Sequence, residues 1–368
     1  MVRPTLQTAT DDSTGIDAAA DRTQSDDAAG PPAVVVEDLT FAYPDGTRAV
    51  DELSLSIPRG ECFGFLGANG AGKTTTIKLL ATLLDPTSGT VQINGYDAAA
   101  DRSAVRGTIG YMAQSVGVDR TLTARDNLAF ACKAYGVPRD RRRERIDELL
   151  ALVDLADVAD TPAGQFSGGM QKRLDAATAL VHDPALVFLD EPTTGLDPKA
   201  RSRLWDYFER INDRGTTVFL TTQYLAEADA LCDRLALLRE GRLVESGTPA
   251  ALKRRVGGAV LSITLEGGGE AVATAAGVAR ESGLLGPDAT VDTTDESLRV
   301  RTERARAVGP ELLVALRDAG VAVTGFDVAE PTLDDVFFAL ADESSDGLAD
   351  DPEAEGPVST DRQTGGAR

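Results

Sequence analysis

Hydrophobic and polar positions change rhythm several times along this chain, and each change marks a different kind of element. Val34-Val-Val-Glu37 and the alternating Leu53-Ser-Leu-Ser-Ile57 read as strands leading to an apolar Phe63-Gly-Phe-Leu66. Ala185-Leu-Val-Phe-Leu-Asp190 is an apolar run too short for a helix, the pattern of a parallel strand covered on both faces, and Thr216-Thr-Val-Phe-Leu-Thr221 repeats it. Helical spacing governs elsewhere. Residues 73–80 follow a glycine-rich loop as a helix, residues 139–152 space their leucines and charges as an amphipathic one, and residues 170–180 continue a Ser-Gly-Gly start. From about Gly258 the texture changes: Val260-Leu-Ser-Ile-Thr-Leu265, Ser297-Leu-Arg-Val-Arg301 and Val321-Ala-Val-Thr324 read as strands separated by Gly- and acid-rich turns, with a closing helix over 331–340. The expected organisation is an α/β domain over 34–256 and a small α+β domain over 258–341, with a boundary near 253–259. Flanking tails over 1–33 and 342–368 hold too few large apolar residues to repay the entropy of ordering.

Composition narrows the class. The 368 residues suffice for two domains with buried cores. The net charge is −22, of which the two tails carry −10, leaving 45 acids against 33 bases over 34–341. Such a surface, with six lysines, argues against a nucleic-acid track, which needs a basic stripe. It points instead to a salt-rich cytosol, because at molar salt a Debye length of roughly 3 Å screens the self-repulsion. Cys62, Cys132 and Cys232 lie far apart without Cys-x-x-Cys spacing, so neither a disulfide framework nor a zinc site is expected. No apolar run approaches a membrane span, and the N-terminus lacks the basic start and apolar core of a signal peptide.

The chemistry concentrates in three motifs. Gly67-Ala-Asn69-Gly70-Ala71-Gly72-Lys73-Thr74, followed by Thr75, has the strand–loop–helix context of a phosphate-binding loop. Its glycines let the backbone turn tightly and aim N–H groups at an oxyanion, while the helix behind adds its positive end. Lys73 supplies a mobile charge for the β- and γ-phosphates and Thr74 a hydroxyl for Mg²⁺. Alone this loop leaves kinase, GTPase and transport motor open. Downstream, the apolar strand ends in Asp190-Glu191, placing one carboxylate to hold Mg²⁺ through its waters and the next to act as general base on the attacking water. Finally, Ser167-Gly168-Gly169 opens a helix, a second anion-binding geometry. A second phosphate reader on a chain with one phosphate loop implies a nucleotide shared between subunits.

With these motifs together, residues 34–256 resemble the ATP-binding-cassette family. The resemblance implies a RecA-like P-loop core with an antiparallel β subdomain and a helical subdomain carrying the Ser-Gly-Gly signature. It implies that Tyr43 stacks on adenine, with Phe41 as a substitute, and that Gln114 touches Mg²⁺ and the water and links the site to a transmembrane partner. Gly195-Leu-Asp197 becomes the loop that crosses to a second copy, so that two chains pack head to tail around ATP and Mg²⁺, each Ser167-Gly168-Gly169 closing over the other's Lys73. Two positions depart from the common pattern. Gln223 stands where most members carry a histidine that senses the γ-phosphate; glutamine can donate a hydrogen bond but carries no proton, which leaves Glu191 as the strong base. Met170 replaces the signature glutamine. Together with Leu220-Thr-Thr-Gln223-Tyr-Leu-Ala-Glu-Ala-Asp229 and Pro331-Thr-Leu-Asp-Asp-Val-Phe-Phe338, these resemble the daunorubicin-resistance type, partner of a separate multi-span ABC-2 permease.

The expected molecule is thus an ATP hydrolase on the cytoplasmic face of a membrane, driving export of a drug, lipid or polysaccharide. An import motor and a non-transport ATPase of DNA repair or translation are the rivals; the latter usually carries two cassettes or a long coiled coil, and neither is visible here. His182, the single histidine, cannot build a metal site and fits a cation at a helix end. The arginines over 139–145 alternate with acids as a solvated helix face, and Trp205 and Phe208 fit a buried helical stripe.

Overall fold

The computed structural model describes residues 30–337 apart from 256 and 288; the two tails and the end of the closing helix lie outside them. The chain opens with β1 (Val34–Ala42) and β2 (Arg48–Ile57), then passes through β3 (Cys62–Leu66) into α1 (Lys73–Leu80), β4 (Ser88–Ile93), β5 (Tyr96–Asp97), α2 (Arg102–Thr108) and β6 (Ile109–Met112). Three helices follow: α3 (Ala124–Ala134), α4 (Arg142–Leu152) and α5 (Gly168–Ala179). Strands and helices then alternate as β7 (Leu186–Asp190), α6 (Pro198–Asp213), β8 (Thr217–Thr222), α7 (Leu225–Leu231), β9 (Arg234–Arg239), β10 (Arg242–Gly247) and α8 (Pro249–Arg255).

Two sheets result. One, in the order β2-β1-β4-β5, is antiparallel; the other, β10-β9-β3-β8-β7-β6, is parallel except for its β10 edge. The apolar runs of β3, β7 and β8 are buried at every residue. Successive side chains feed two separate cores, as the period-2 geometry of a strand requires. Phe63, Phe65, Leu186, Phe188 and Phe219 face the antiparallel sheet and α1, whereas Leu66, Val187, Leu189, Val218 and Leu220 face the helices. Phe219 centres the first core, its ring 5.5 Å from those of Phe63, Phe65 and Phe188.

The remaining elements are β11 (Ala259–Leu265), α9 (Gly268–Glu281), β12 (Thr290–Thr293), β13 (Ser297–Thr302), α10 (Ala305–Asp318) and β14 (Val323–Ala329). Their antiparallel sheet has the order β12-β13-β11-β14, so the connection is β-α-β-β-α-β, the split βαβ arrangement of ferredoxin-like folds. Here the structure departs from the expected Gly- and acid-rich turns, because two of those connections are fourteen-residue helices. Two glycines open the first and a third, Gly277, lies off the buried face, while Val272, Ala275, Ala276 and Ala279 form an i, i+3, i+4, i+7 stripe. In the second, Gly309-Pro310 resembles a breaker, yet Val308, Gly309, Leu312 and Leu316 bury against the sheet and carry the helix through. Gly309 is needed there, since a Cβ would lie 2.8 Å from the Phe326 ring.

After β14 the chain returns. Thr332 and Asp335 cap each other reciprocally, the Thr332 N–H and hydroxyl both donating to Asp335 Oδ2 at 2.8 Å. The turn they start places Leu333 and Val336 in the helix-side core of the parallel sheet, together with Leu252, Leu231 and Tyr207. Among the described residues no helix is long and apolar enough to cross a membrane. Because Leu333 is only 4% exposed, Leu333→Ala should cost about 2–5 kcal/mol of stability. Chemical denaturation of the full chain checks this, and the transition expected to shift is that of the parallel-sheet core rather than of the C-terminal sheet alone.

Candidate functional site

The C-terminal ends of β3, β8 and β7 lie side by side, with Leu66 paired to Thr222 and Asp190 to Thr221. Everything that follows β3 and β7 therefore meets at one edge of the sheet, where ligands of open α/β folds bind. The loop over 67–72 wraps tightly because it has no room to do otherwise. A Cβ at Gly67 would sit 2.5 Å from the Leu238 carbonyl oxygen, and Gly72, at φ +104°, presses to 2.2 Å of the Ala49 oxygen in the same test. Gly70 also takes a left-handed conformation, at φ +84°. Ala71 is buried and Asn69 exposed at the loop's tip.

Lys73 opens α1 with its side chain folded back into the loop. Its ammonium is 4% exposed and donates to the carbonyls of Gly67 at 2.8 Å and Ala68 at 3.1 Å, with Glu191 Oε1 3.6 Å away. Thr74 donates to Asp190 Oδ1 at 3.0 Å, which also accepts from Thr221 at 2.7 Å, while Asp190 Oδ2 is buried with no hydrogen-bond partner. On the Glu191 carboxylate, Oε2 accepts from Gln114 Nε2 at 2.9 Å and from Thr194 Oγ1 at 3.2 Å. Tyr43 hydrogen-bonds Thr75 at 3.0 Å through its hydroxyl, braced edge-on by Phe41 at 4.9 Å. The cavity these groups surround measures about 360 Å³ and is lined by Tyr43, Asn69, Lys73, Thr74, Gln114 and Glu191 among others. Tyr43 rather than Phe41 faces it; Phe41 packs toward the core.

Other expected site residues do not reach this cavity. Ser167 and Gly168 are exposed at the start of α5, where Ser167 Oγ caps the helix by accepting from the Met170 N–H at 3.3 Å. Gly169 packs against the 195–197 loop: a Cβ there would lie 2.9 Å from Ala200 Cβ, with Leu196 also in contact. Asp197 caps α6 by accepting from the Ala200 N–H at 2.9 Å. The signature and the crossing loop thus form one surface, away from their own chain's phosphate loop. Gln223 is exposed just beyond β8 and does not line the cavity. His182 differs from the expected helix-end cation: its ring stacks on Tyr135 at 4.0 Å, Nε2 faces the Ile109 carbonyl at 2.9 Å, and burial pushes its pKa down, favouring the neutral ring. Trp205 is only partly buried, its indole N–H donating to Glu227 Oε1 at 2.9 Å.

Sequence reasoning passed over several contributors. Arg48 lines the cavity mouth while paired with Asp51 at 2.7 Å, and a single arginine before a strand carries no signal. Glu227 is wholly buried, and that burial raises its pKa despite the Trp205 contact. Lys172 and Asp175 look like the polar face of α5, yet each is about 7% exposed or less. Lys172 Nζ donates to the Glu191 carbonyl at 3.2 Å, and Asp175 Oδ1 accepts from the Gly117 N–H at 3.1 Å.

Burial pushes the Asp175 carboxyl up to about 6, the Gly117 N–H and the Lys172 charge pulling the other way. Between its ordinary value and that one, the folded chain binds the extra proton, so this group's contribution falls as pH rises from about 4 to 6 and its full cost applies above. The shift corresponds to a penalty on the order of 3 kcal/mol at neutral pH. Asp175→Asn keeps an acceptor for Gly117 and should flatten the stability profile across that window, as read by denaturation at pH 4 to 7.

The sequence model of the family described as ABC transporter matches residues 50–194, and that of the DrrA1-3-like ATP-binding protein C-terminal domain matches 247–341. The chain is 41% identical over 323 residues to the daunorubicin/doxorubicin resistance ATP-binding protein DrrA of Streptomyces peucetius, covering 88% of this chain and 96% of that protein. It is 33% identical over 305 residues to the linearmycin resistance ATP-binding protein of Bacillus subtilis, covering 83% and 96%. Among solved structures, an ATP-binding subunit of an ABC transporter matches with TM-score 0.55 at 31% identity, over 60% of this chain and 92% of its own. A dimeric ATP-binding cassette in a post-hydrolysis state with ADP and Pi matches with TM-score 0.54 at 27% identity, over 58% and 98%.

Proposed function

Since the chain belongs to the ABC transporter family of ATP-binding proteins, we propose that it is the ATP-hydrolysing subunit of an exporter, working as a head-to-tail pair on a separate ABC-2 type permease. The observation that carries this is the Glu191 carboxylate, held by Gln114 at the wall of a cavity that also contains the phosphate-loop Lys73. ATP would lay its base on Tyr43 and its phosphates in the 67–72 loop, where N–H groups, the start of α1 and the Lys73 ammonium replace its water. Glu191 would take a proton from water as the water's oxygen attacks the γ-phosphorus; the bond to the β-phosphate oxygen breaks, leaving ADP and phosphate.

Mg²⁺ fits the residues present. Asp190 Oδ2 is a buried oxygen without a partner on the carboxylate that Thr74 bonds through Oδ1, and Thr74 and Gln114 both line the cavity, so their oxygens form a set suited to a hard cation. Bound with ATP, the ion would neutralise charge on the β- and γ-phosphates. Thr74, Asp190 and Gln114 are the residues to hold it.

Pairing is supported by the joint surface of Ser167-Gly168-Gly169 and Gly195-Leu-Asp197. It presents a helix start and exposed backbone to a γ-phosphate that its own chain's loop cannot deliver. Gln223 would meet the γ-phosphate in its own chain's loop as a hydrogen-bond donor, leaving proton transfer to Glu191. The acidic composition fits a salt-rich cytosol, where the surplus carboxylates stay screened. The domain reading of 34–256 and 258–341 is supported by the separate apolar cluster between Ala259 and Val328, with Leu333 and Val336 packing back on the first domain. The drug-resistance names of the relatives support a drug as the cargo ahead of the lipid or polysaccharide that the sequence also allows.

Glu191→Gln should lower kcat at least about 100-fold with ATP binding retained, whereas Gln223→His should stay within a few-fold of the parent. Steady-state ATPase assays in high salt check both, and a Glu191→Gln protein that hydrolyses normally overturns the mechanism. Expressed in its native cells, tagged Glu191→Gln with ATP should draw a multi-span protein through gentle solubilisation in a two-to-two complex; a soluble ATP-bound pair alone would count against the permease.

A further inference from the structure

Glu191 is one of the few non-glycine residues with a left-handed backbone, at φ +48°. An L side chain resists that conformation, and it persists only where neighbours over-determine it. Pro192 follows, which disfavours the right-handed helical alternative. On the amide side, the Glu191 N–H donates to both the carbonyl and the hydroxyl of Thr221 at 3.1 Å. On the carbonyl side, the donors are the Thr194 N–H at 3.3 Å and Lys172 Nζ at 3.2 Å, the latter delivered from helix α5. Lys172 is 7% exposed, and the carboxylates of Asp175, Glu227, Glu191 and Asp190 act on its charge.

We propose that Lys172 is a positioning residue for hydrolysis, holding the Glu191 backbone in its left-handed conformation so that the carboxylate stays aimed into the cavity. This inference rests on Glu191 being the base. Its consequence concerns the pair of sites. Helix α5 begins with Ser167-Gly168-Gly169, which reads the γ-phosphate of the opposite subunit in the function proposed above. Five residues on, the same helix grips the base of its own subunit, and at Asp175 it grips Gly117, three residues beyond Gln114. A displacement of α5 on engaging the partner's nucleotide would therefore reach the Glu191 backbone directly and the loop that carries Gln114 at Gly117. In this arrangement α5 links the two ATP sites of the pair.

The test compares Lys172→Met, which keeps the apolar stem and removes the donor, with Lys172→Gln, which keeps a donor on a shorter chain, and runs Glu191→Gln beside them. In the full-length protein with Mg-ATP, Lys172→Met should lose at least about tenfold in kcat at an unchanged KM and near-parental Tm, and Lys172→Gln should recover part of that loss. A parental kcat in a folded Lys172→Met overturns the proposal, as does a loss that only tracks the fall in Tm. Should Lys172→Met not fold, Lys172→Leu, which also removes the donor, is read in its place: a lower kcat at unchanged KM and near-parental Tm supports the role, and a parental kcat overturns it. If Glu191→Gln is itself active, the function proposed above fails; if Glu191→Gln is dead while Lys172→Met turns over normally, only the role of Lys172 fails.

Discussion

A lysine ammonium cannot be buried without partners, and the nucleotide site is organised around that constraint. Lys73 is 4% exposed, and its charge is met by two loop carbonyls and by the Glu191 carboxylate. Those carbonyls can converge on it only because the loop turns back on itself at Gly67, Gly70 and Gly72. The carboxylate can approach only because β7 lies one strand away from β3, separated by β8. Removing any of these would leave a charge in a low-dielectric pocket without compensation, so the loop, the sheet order and the acidic strand end form a single electrostatic unit.

The same economy governs the layer behind the site. Helix α5 looks amphipathic in the wrong sense, since its residues 171–177 are buried whether polar or not. Gln171 donates to the Ala163 carbonyl at 3.0 Å, Arg173 to the Val153 carbonyl at 2.6 Å, and Lys172 and Asp175 reach the Glu191 carbonyl just beyond β7 and the loop after β6. These buried polar groups are satisfied largely by backbone atoms, a rigid kind of partner, and they hold the helix in register against the elements that carry Glu191 and Gln114. The C-terminal unit is tied in by different means. Its sheet has a core of its own, yet Leu333 and Val336 return to the helix-side core of the parallel sheet. A β-α-β-β-α-β unit hosts many unrelated roles, so the fold by itself does not say what this one does.

Much of this molecule was legible in its residues. A phosphate loop requires particular residue types at fixed spacing, because backbone N–H groups must crowd one oxyanion, and 67–74 state that requirement openly. Doubly covered parallel strands likewise announce themselves as short apolar runs, which is why β7 and β8 stand out. Less legible were α9 and α10, where alanine stripes and a Gly-Pro pair mask the helical period. What sequence alone determined was therefore local: which segments turn, which bury both faces, and which side chains can hold phosphate, metal and a proton. Tertiary structure decided what no spacing encodes, namely that Lys172 spans to the Glu191 carbonyl, that Asp175 and Glu227 are carboxylates sealed from water, and that the signature glycine packs on the crossing loop. Those contacts join residues distant in the chain, and a side chain's partner across such a distance is set by how strands and helices stack, not by the residue's own chemistry.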